Sequence, residues 1–143
     1  MKKYFALIIA LTIFALNAVG QDYKDVILIS TTNSTVTDTV TNTAVKTLRT
    51  PNNPGYWAVA GVGVTVTKIS GTVAGVVRLV GSYDGTNFFR INPTDSLNAA
   101  NVTTNYKSFT LTSYPYKYIG VQYTGTGTMA AKLNSQLIFK RPK

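Results

Sequence analysis

The feature that most constrains this chain is an alternation of apolar residues with period two. Between positions 56 and 66 every even residue is apolar, whereas the odd positions are rich in glycine and threonine. In an extended chain this alternation puts one apolar stripe on a single face of a strand. The pattern returns at 109–111, 119–123 and 129–139. Because no segment after residue 20 repeats with helical spacing, the sequence predicts an all-β chain.

Turn-forming residues divide these strands at short intervals. Segments 51–55, 92–95 and 125–127 combine proline, glycine, asparagine or aspartate, which favour turns. Asp84-Gly85 lies between two apolar runs and predicts a hairpin with a tight turn. Short antiparallel strands at this spacing predict a β-sandwich of jelly-roll or immunoglobulin-like type, with an open barrel as the second choice.

The first twenty residues have the organisation of a signal peptide. Lys2 and Lys3 precede an apolar run over 4–16, and small residues stand at Ala18 and Gly20, as signal peptidase requires. The apolar run is shorter than the roughly 20 residues that span a bilayer, which disfavours the alternative of a retained anchor. We therefore expect cleavage after Gly20, no stable membrane anchor afterwards, and an exported protein located outside the cell, on its surface or in a virion.

The sequence divides into a signal peptide (1–20), an N-terminal strand or arm (21–50) and a β-sandwich domain (51–143). The solid apolar run at 26–29 predicts a strand buried on both faces. Segment 31–50 has few apolar anchors, namely Val36, Val40, Val45 and Leu48. We expect it to be an edge strand or an arm that docks between subunits, either in a homo-oligomer or against other subunits of a particle.

Composition excludes several kinds of chemistry. The chain contains no His, no Cys and no Glu, so it lacks the usual zinc ligands, a thiol nucleophile and a Ser-His-Asp triad. Its 14 basic and five acidic residues give a formal net charge of +9, but the charges are scattered. This distribution favours no specific nucleic-acid partner. Glycoside hydrolysis requires two carboxylates that flank the scissile bond, and Asp84 with Asp95 is the only candidate pair. The sequence predicts no catalytic residue, no metal and no cofactor, and therefore a protein that is not an enzyme.

Two sets of residues are candidates for a ligand site or a subunit interface. The polar set offers oxygen atoms to Ca²⁺ or hydrogen bonds to a sugar, although one carboxylate is few for calcium and the same side chains are expected to satisfy the amides of the turn. The aromatic set can stack on sugar rings or on a protein, or it can pack in the core. The candidates are Tyr83, Asp84, Thr86 and Asn87 in the hairpin, and Tyr56, Trp57, Tyr114 and Tyr116 elsewhere.

Three segments taken together carry a resemblance: KISGTVAG (68–75), GSYDGTNF (81–88), and YKYI with YTGTGT (116–119 and 123–128). Over about residues 56–141 the chain resembles small β-rich virion structural or decoration proteins of tailed phages and related viruses. That resemblance implies a structural protein that self-assembles or decorates a particle or filament. The turn at 82–87 also resembles one in discoidin-like carbohydrate-binding modules. This second likeness implies a secreted carbohydrate- or surface-binding module with a polysaccharide partner.

Overall fold

The structure is a computed structural model that describes residues 23–51, 59–112 and 115–140. This part of the chain contains eleven strands, and no helix in it is suited to crossing a membrane. The predicted signal peptide (1–20) lies outside the described residues. The strands are β1 (Tyr23–Ile27), β2 (Ile29–Ser30), β3 (Thr37–Thr41), β4 (Val45–Arg49), β5 (Val59–Gly71), β6 (Gly75–Ser82), β7 (Phe89–Arg90), β8 (Ser96–Ala99), β9 (Thr104–Leu111), β10 (Tyr118–Gly125) and β11 (Met129–Lys140).

These strands form two antiparallel sheets that pack face to face. The first sheet has the order β1-β11-β5-β9, and β3 pairs with β11 next to β1. The second sheet has the order β2-β4-β10-β6-β7, and β8 also pairs with β6. Neither sheet closes into a barrel within the described residues. The predicted β-sandwich is therefore confirmed, and the open barrel is not the fold.

The core lies between the sheets and consists of the alternating apolar residues that the sequence predicts. On β5, Val62, Val64 and Val66 are buried, and β11 alternates buried and exposed residues along most of its length. Tyr123 on β10 is the largest fully buried side chain of the described residues. Its hydroxyl donates a hydrogen bond to the Ala74 carbonyl at 3.2 Å, and burial raises the pKa of this phenol.

Residues 31–50 pair with strands of their own chain, which agrees with the edge-strand alternative, and docking between subunits stays a prediction. β3 pairs with β11 and β4 pairs with β10. Two of the four apolar anchors, Val40 and Leu48, are fully buried. Main-chain pairing, which a count of apolar side chains does not detect, holds both strands in the sandwich. A buried polar group adds to it, because the Thr50 hydroxyl accepts a hydrogen bond from the amide of Ile119 at 3.3 Å.

The apolar run at 26–29 is not a strand buried on both faces. β1 pairs with β11, and the Ile27 side chain is 53% exposed, so one face of this strand is open to solvent. Leu28 separates β1 from β2 and is fully buried. The chain passes at this point from the first sheet to the second. The apolar run is therefore divided between β1 and β2.

A lysine and an aspartate form an ion pair at each open side of the sandwich. On one side Lys46 of β4 lies 3.6 Å from Asp38 of β3, which also accepts a hydrogen bond from the Ser30 hydroxyl. On the other side Lys107 of the edge strand β9 forms an ion pair with Asp95 and donates to a carbonyl of β8. An inward-pointing charge on an edge strand disfavours pairing with another chain.

Candidate functional site

The hairpin between β6 and β7 carries four of the predicted site residues. Gly81 pairs with Phe89, so residues 83–88 form the loop that joins the two strands. The predicted hairpin is confirmed. The predicted tight turn is wrong, because the chain takes a wider path here than a two-residue connection allows.

Asp84 organises this loop through its carboxylate. Oδ1 accepts hydrogen bonds from the amides of Thr86 and Asn87, both at 2.8 Å, and from the Ser82 hydroxyl at 2.9 Å. Oδ2 accepts one from the side-chain amide of Asn87 at 2.7 Å. The two backbone hydrogen bonds, followed by the side-chain ones, hold the pKa of the Asp84 carboxyl well below its usual range. The loop itself thus uses both carboxylate oxygens, and this bonding pattern accounts for its width.

Replacing Asp84 with Asn is expected to destabilise the protein at pH 7 and to matter less in acid. The carboxyl of the folded protein has a depressed pKa, so it stabilises the fold above the pKa of the unfolded chain, about 3.9. That contribution is lost as the pH falls from about 4 towards the lower pKa of the folded protein. Urea unfolding at pH 7 and pH 3 measures the difference. Asp25→Asn, a change at an exposed site on β1, is the control, and an Asp84→Asn effect that does not change with pH would contradict this role.

Tyr83 and Tyr116 meet in an aromatic cluster that also contains Phe89. The ring centroid of Tyr83 lies 5.1 Å from that of Tyr116 and 6.4 Å from that of Phe89. Tyr116 packs directly on the backbone of Gly81, where any Cβ would overlap the ring. Tyr83 is 59% exposed, so a fixed aromatic surface faces solvent. The sequence predicted both tyrosines and missed Phe89, which only strand pairing brings to them.

Thr86 and Asn87 belong to a different surface, a depression of about 420 Å³ beside the outer face of the second sheet. We call it the polar depression. Its lining consists of Thr31, Thr47, Gly85, Thr86, Asn87, Phe88 and Gln122. The structure thus divides the predicted hairpin residues: Tyr83 contributes to the aromatic cluster, whereas Thr86 and Asn87 line the polar depression.

Hydroxyl and amide groups provide the chemistry of the polar depression. The Gln122 amide donates to the Thr47 hydroxyl at 3.2 Å, and the Thr31 hydroxyl donates to the Thr47 carbonyl at 3.3 Å. Three groups make no hydrogen bond within the described residues: the Thr86 hydroxyl and the side-chain carbonyls of Asn87 and Gln122. Unpaired donors and acceptors in a concave surface suit a ligand rich in hydroxyl groups.

The loop is fixed over the sheet by its contact with Tyr118. Gly85 has a φ of +80°, and a Cβ at this position would lie 3.1 Å from Cε2 of Tyr118. The guanidinium of Arg49 lies 4.7 Å from the centroid of the same ring. Glycine allows both the left-handed backbone and the close approach to the ring. The wall of the polar depression is therefore held in place before any ligand arrives.

Three predicted residues, Tyr56, Trp57 and Tyr114, lie outside the described residues, so their part in a site stays a prediction. Asp84 and Asp95 are the candidate carboxylate pair for glycoside hydrolysis, and each contacts other residues of the chain. Asp84 is bound by its own loop, and Asp95 is paired with Lys107.

A second depression, of about 450 Å³, crosses the outer face of the first sheet. Gly63 of β5 lies in its floor, where a Cβ would meet only the Gln136 carbonyl oxygen, at 3.8 Å. Its rim includes Tyr106, Ile27 and Val36, which are 79%, 53% and 50% exposed. We call it the glycine trough. Gly63 was visible in the sequence at an outward position of β5, but the exposed rim required the strand register.

Comparisons with known proteins give fold-level likenesses only. No protein-family model matches the sequence, and a search of the curated proteins finds no match either. Among solved structures, a pilus protein of Bacillus endospore appendages is 13% identical, with 85% of this chain and 88% of that chain covered and a TM-score of 0.42. The CBM22-1 xylan-binding domain of Paenibacillus barcinonensis Xyn10C is 8% identical, with 86% and 97% covered and a TM-score of 0.47. A family 29 carbohydrate-binding module is 10% identical, with 85% and 81% covered and a TM-score of 0.43.

These similar structures are β-rich, and they include an appendage protein and carbohydrate-binding modules, the two kinds of protein that the sequence suggested. None of the three is a virion protein, so the resemblance to virion proteins of phages stays a prediction. Export also stays a prediction, because the segment that carries it lies outside the described residues.

Proposed function

We propose that this protein is a non-catalytic module that binds a polysaccharide in the polar depression. The observation that carries the proposal is a set of unpaired polar groups: those of Thr86 and Asn87, on a loop that Asp84 fixes from within, and that of Gln122 on β10. A preorganised site loses little conformational entropy when a flexible sugar chain binds. Hydroxyl and amide groups match the donors and acceptors of a sugar.

The aromatic cluster supports the same function from the neighbouring side of the loop. An exposed tyrosine ring that other rings hold in place offers a flat apolar face to a sugar at low entropy cost. Because Tyr83 and Thr86 lie on one short loop, a polymer is able to reach both surfaces. A single small ligand needs only one of them, so this arrangement favours a polymer.

The test is affinity electrophoresis of the purified protein in gels that contain neutral or acidic plant and bacterial polysaccharides. We expect retardation by at least one polymer and a loss of affinity of roughly tenfold in Gln122→Ala, since one hydrogen-bonding group is removed from a concave site. Gln136→Ala is the matched control. It removes the same side chain from the outer face of the first sheet, at the glycine trough, and is expected to bind like wild type.

Two results would overturn the proposal: no retardation by any polymer, or equal losses in the two glutamine variants. A loss in Gln136→Ala alone would move the site to the other sheet and would refute binding in the polar depression.

Self-association is a second candidate function, and the glycine trough is the observation that favours it. The glycine trough, with Gly63 in its floor, shares the outer face of the first sheet with four exposed apolar side chains, Tyr106, Ile27, Val36 and Ile138. An exposed apolar patch of this kind is typical of protein interfaces. Light scattering on the preparations used for electrophoresis distinguishes the two functions: an oligomer supports subunit assembly, and a monomer at high concentration refutes it.

A further inference from the structure

Arg78 is a positive charge without a partner next to the polar depression. It lies on the outer face of β6, directly opposite Gln122 of β10, which in turn faces Thr47 of β4. Its Nε atom is buried and has no hydrogen-bond partner, and its guanidinium makes no ion pair within the described residues. Arg78 is partly buried, and a cation that is partly removed from water without a compensating anion is less stable than a paired one. An anion supplied by a ligand would compensate this charge.

A second guanidinium borders the same place. Arg49 lies opposite Gly120, two positions along β10 from Gln122 and on the same face of the sheet. Its Nε is also buried without a partner, although Nη1 donates to the Thr50 carbonyl at 3.0 Å. Gln122, a wall of the polar depression, therefore has one guanidinium beside it on β6 and another diagonally across on β4.

The described carboxylates do not neutralise these guanidiniums. Asp38 is engaged by Lys46 and Ser30, and Asp95 by Lys107. Asp84 is satisfied by its own loop. Asp25 lies on β1 in the other sheet. Among the described residues, the outer face of the second sheet thus presents positive charge that no carboxylate pairs with.

We propose that the polysaccharide is acidic and that Arg78 binds its carboxylate or sulfate groups while the polar depression binds the hydroxyls of the same sugar. A guanidinium presents two parallel N–H donors to the paired oxygens of such an anion, and charge-assisted hydrogen bonds of this kind are strong. This inference rests on the proposed function and names the ligand class for the same site. Tyr118, beneath the loop and next to Arg49, contributes an aromatic surface at the border.

Paired polymers provide the test, because each pair differs only in its acidic groups. Polygalacturonate is compared with its methyl ester, and dextran sulfate with dextran, by affinity electrophoresis in about 0.15 M salt, which screens long-range attraction. We expect binding of at least one acidic polymer to be tighter than binding of its neutral partner by roughly tenfold or more. The pair that shows the difference identifies a carboxylate or a sulfate as the group recognised.

Arg78→Gln is expected to abolish this preference, whereas Arg78→Lys retains part of it. The control is Lys132→Gln, which makes the same charge change at an exposed site on the first sheet and is expected to bind within about twofold of wild type. Equal losses in Arg78→Gln and Lys132→Gln would show general electrostatic attraction and overturn the inference. Equal binding of acidic and neutral polymers would overturn it while leaving the proposed function intact, and binding to no polymer would overturn both.

Discussion

A chain that lacks residues 22–50 is expected not to fold. The deletion removes β1 to β4, and with them Leu28, Val40 and Leu48, all of which are fully buried in the core. Truncating one buried leucine to alanine already costs about 2–5 kcal/mol, and a domain has only about 5–15 kcal/mol of stability. The deletion also exposes one edge of β11 and one of β10. Circular dichroism and urea unfolding, with the full chain as reference, test this expectation.

Two point variants test the same prediction at single positions of the segment. Leu48→Ala is expected to lower the free energy of unfolding by about 2–5 kcal/mol, since the side chain is fully buried between the sheets. Val36→Ala is the control within the same segment, and because Val36 is half exposed it is expected to change stability by no more than about 0.5 kcal/mol. A truncated chain that folds cooperatively as a monomer would contradict this expectation and would support an arm that docks between subunits.

The sequence predicted the sandwich because its core uses a periodic signal. Val62, Val64 and Val66 alternate with small or polar residues, and the structure buries all three. This signal is weak in segment 31–50, where Val40 and Leu48 are isolated in a polar stretch. Their burial depends on pairing with β11 and β10, and those strands lie far away in the sequence. Hydrophobic periodicity does not report such long-range pairing.

The candidate site was predictable only in part, for a similar reason. Thr86 and Asn87 were found because Asp, Gly, Thr and Asn in succession indicate a turn with free polar side chains. Gln122 and Arg78 gave no signal, because each is a single polar residue on the outward side of an apolar strand. Only the register that sets Gln122 opposite both Arg78 and Thr47 assembles them into one surface.

The loop shows how a local signal can be right about position and wrong about geometry. Asp84-Gly85 favours a two-residue turn when the backbone alone is considered. The Asp84 carboxylate instead accepts hydrogen bonds from residues further along the loop, at Thr86 and Asn87. Side-chain capping of this kind competes with the tight turn and selects the wider loop. Because the loop is wide, its residues form one wall of the polar depression.

Replacing Gly75 with Ala is expected to lower the free energy of unfolding by about 3 kcal/mol or more and the melting temperature by roughly 10 °C. Gly75 begins β6 with a φ of +144°, a conformation that residues with a Cβ rarely adopt. A Cβ there would overlap the carbonyl of Thr124 on β10 and lie 2.7 Å from Cε2 of Tyr123. Tyr123 is fully buried and cannot retreat, so the two central strands of the second sheet must separate.

Gly61→Ala is the matched control, because the same methyl group on β5 meets no atom within 4 Å. It is expected to change stability by no more than about 0.5 kcal/mol. Urea unfolding of both variants measures the difference directly. Equal effects at the two positions would mean that β6 does not approach Tyr123 as closely as the structure describes. A large difference would show that the stability of the second sheet depends on the backbone conformation of Gly75 and on its close packing against β10.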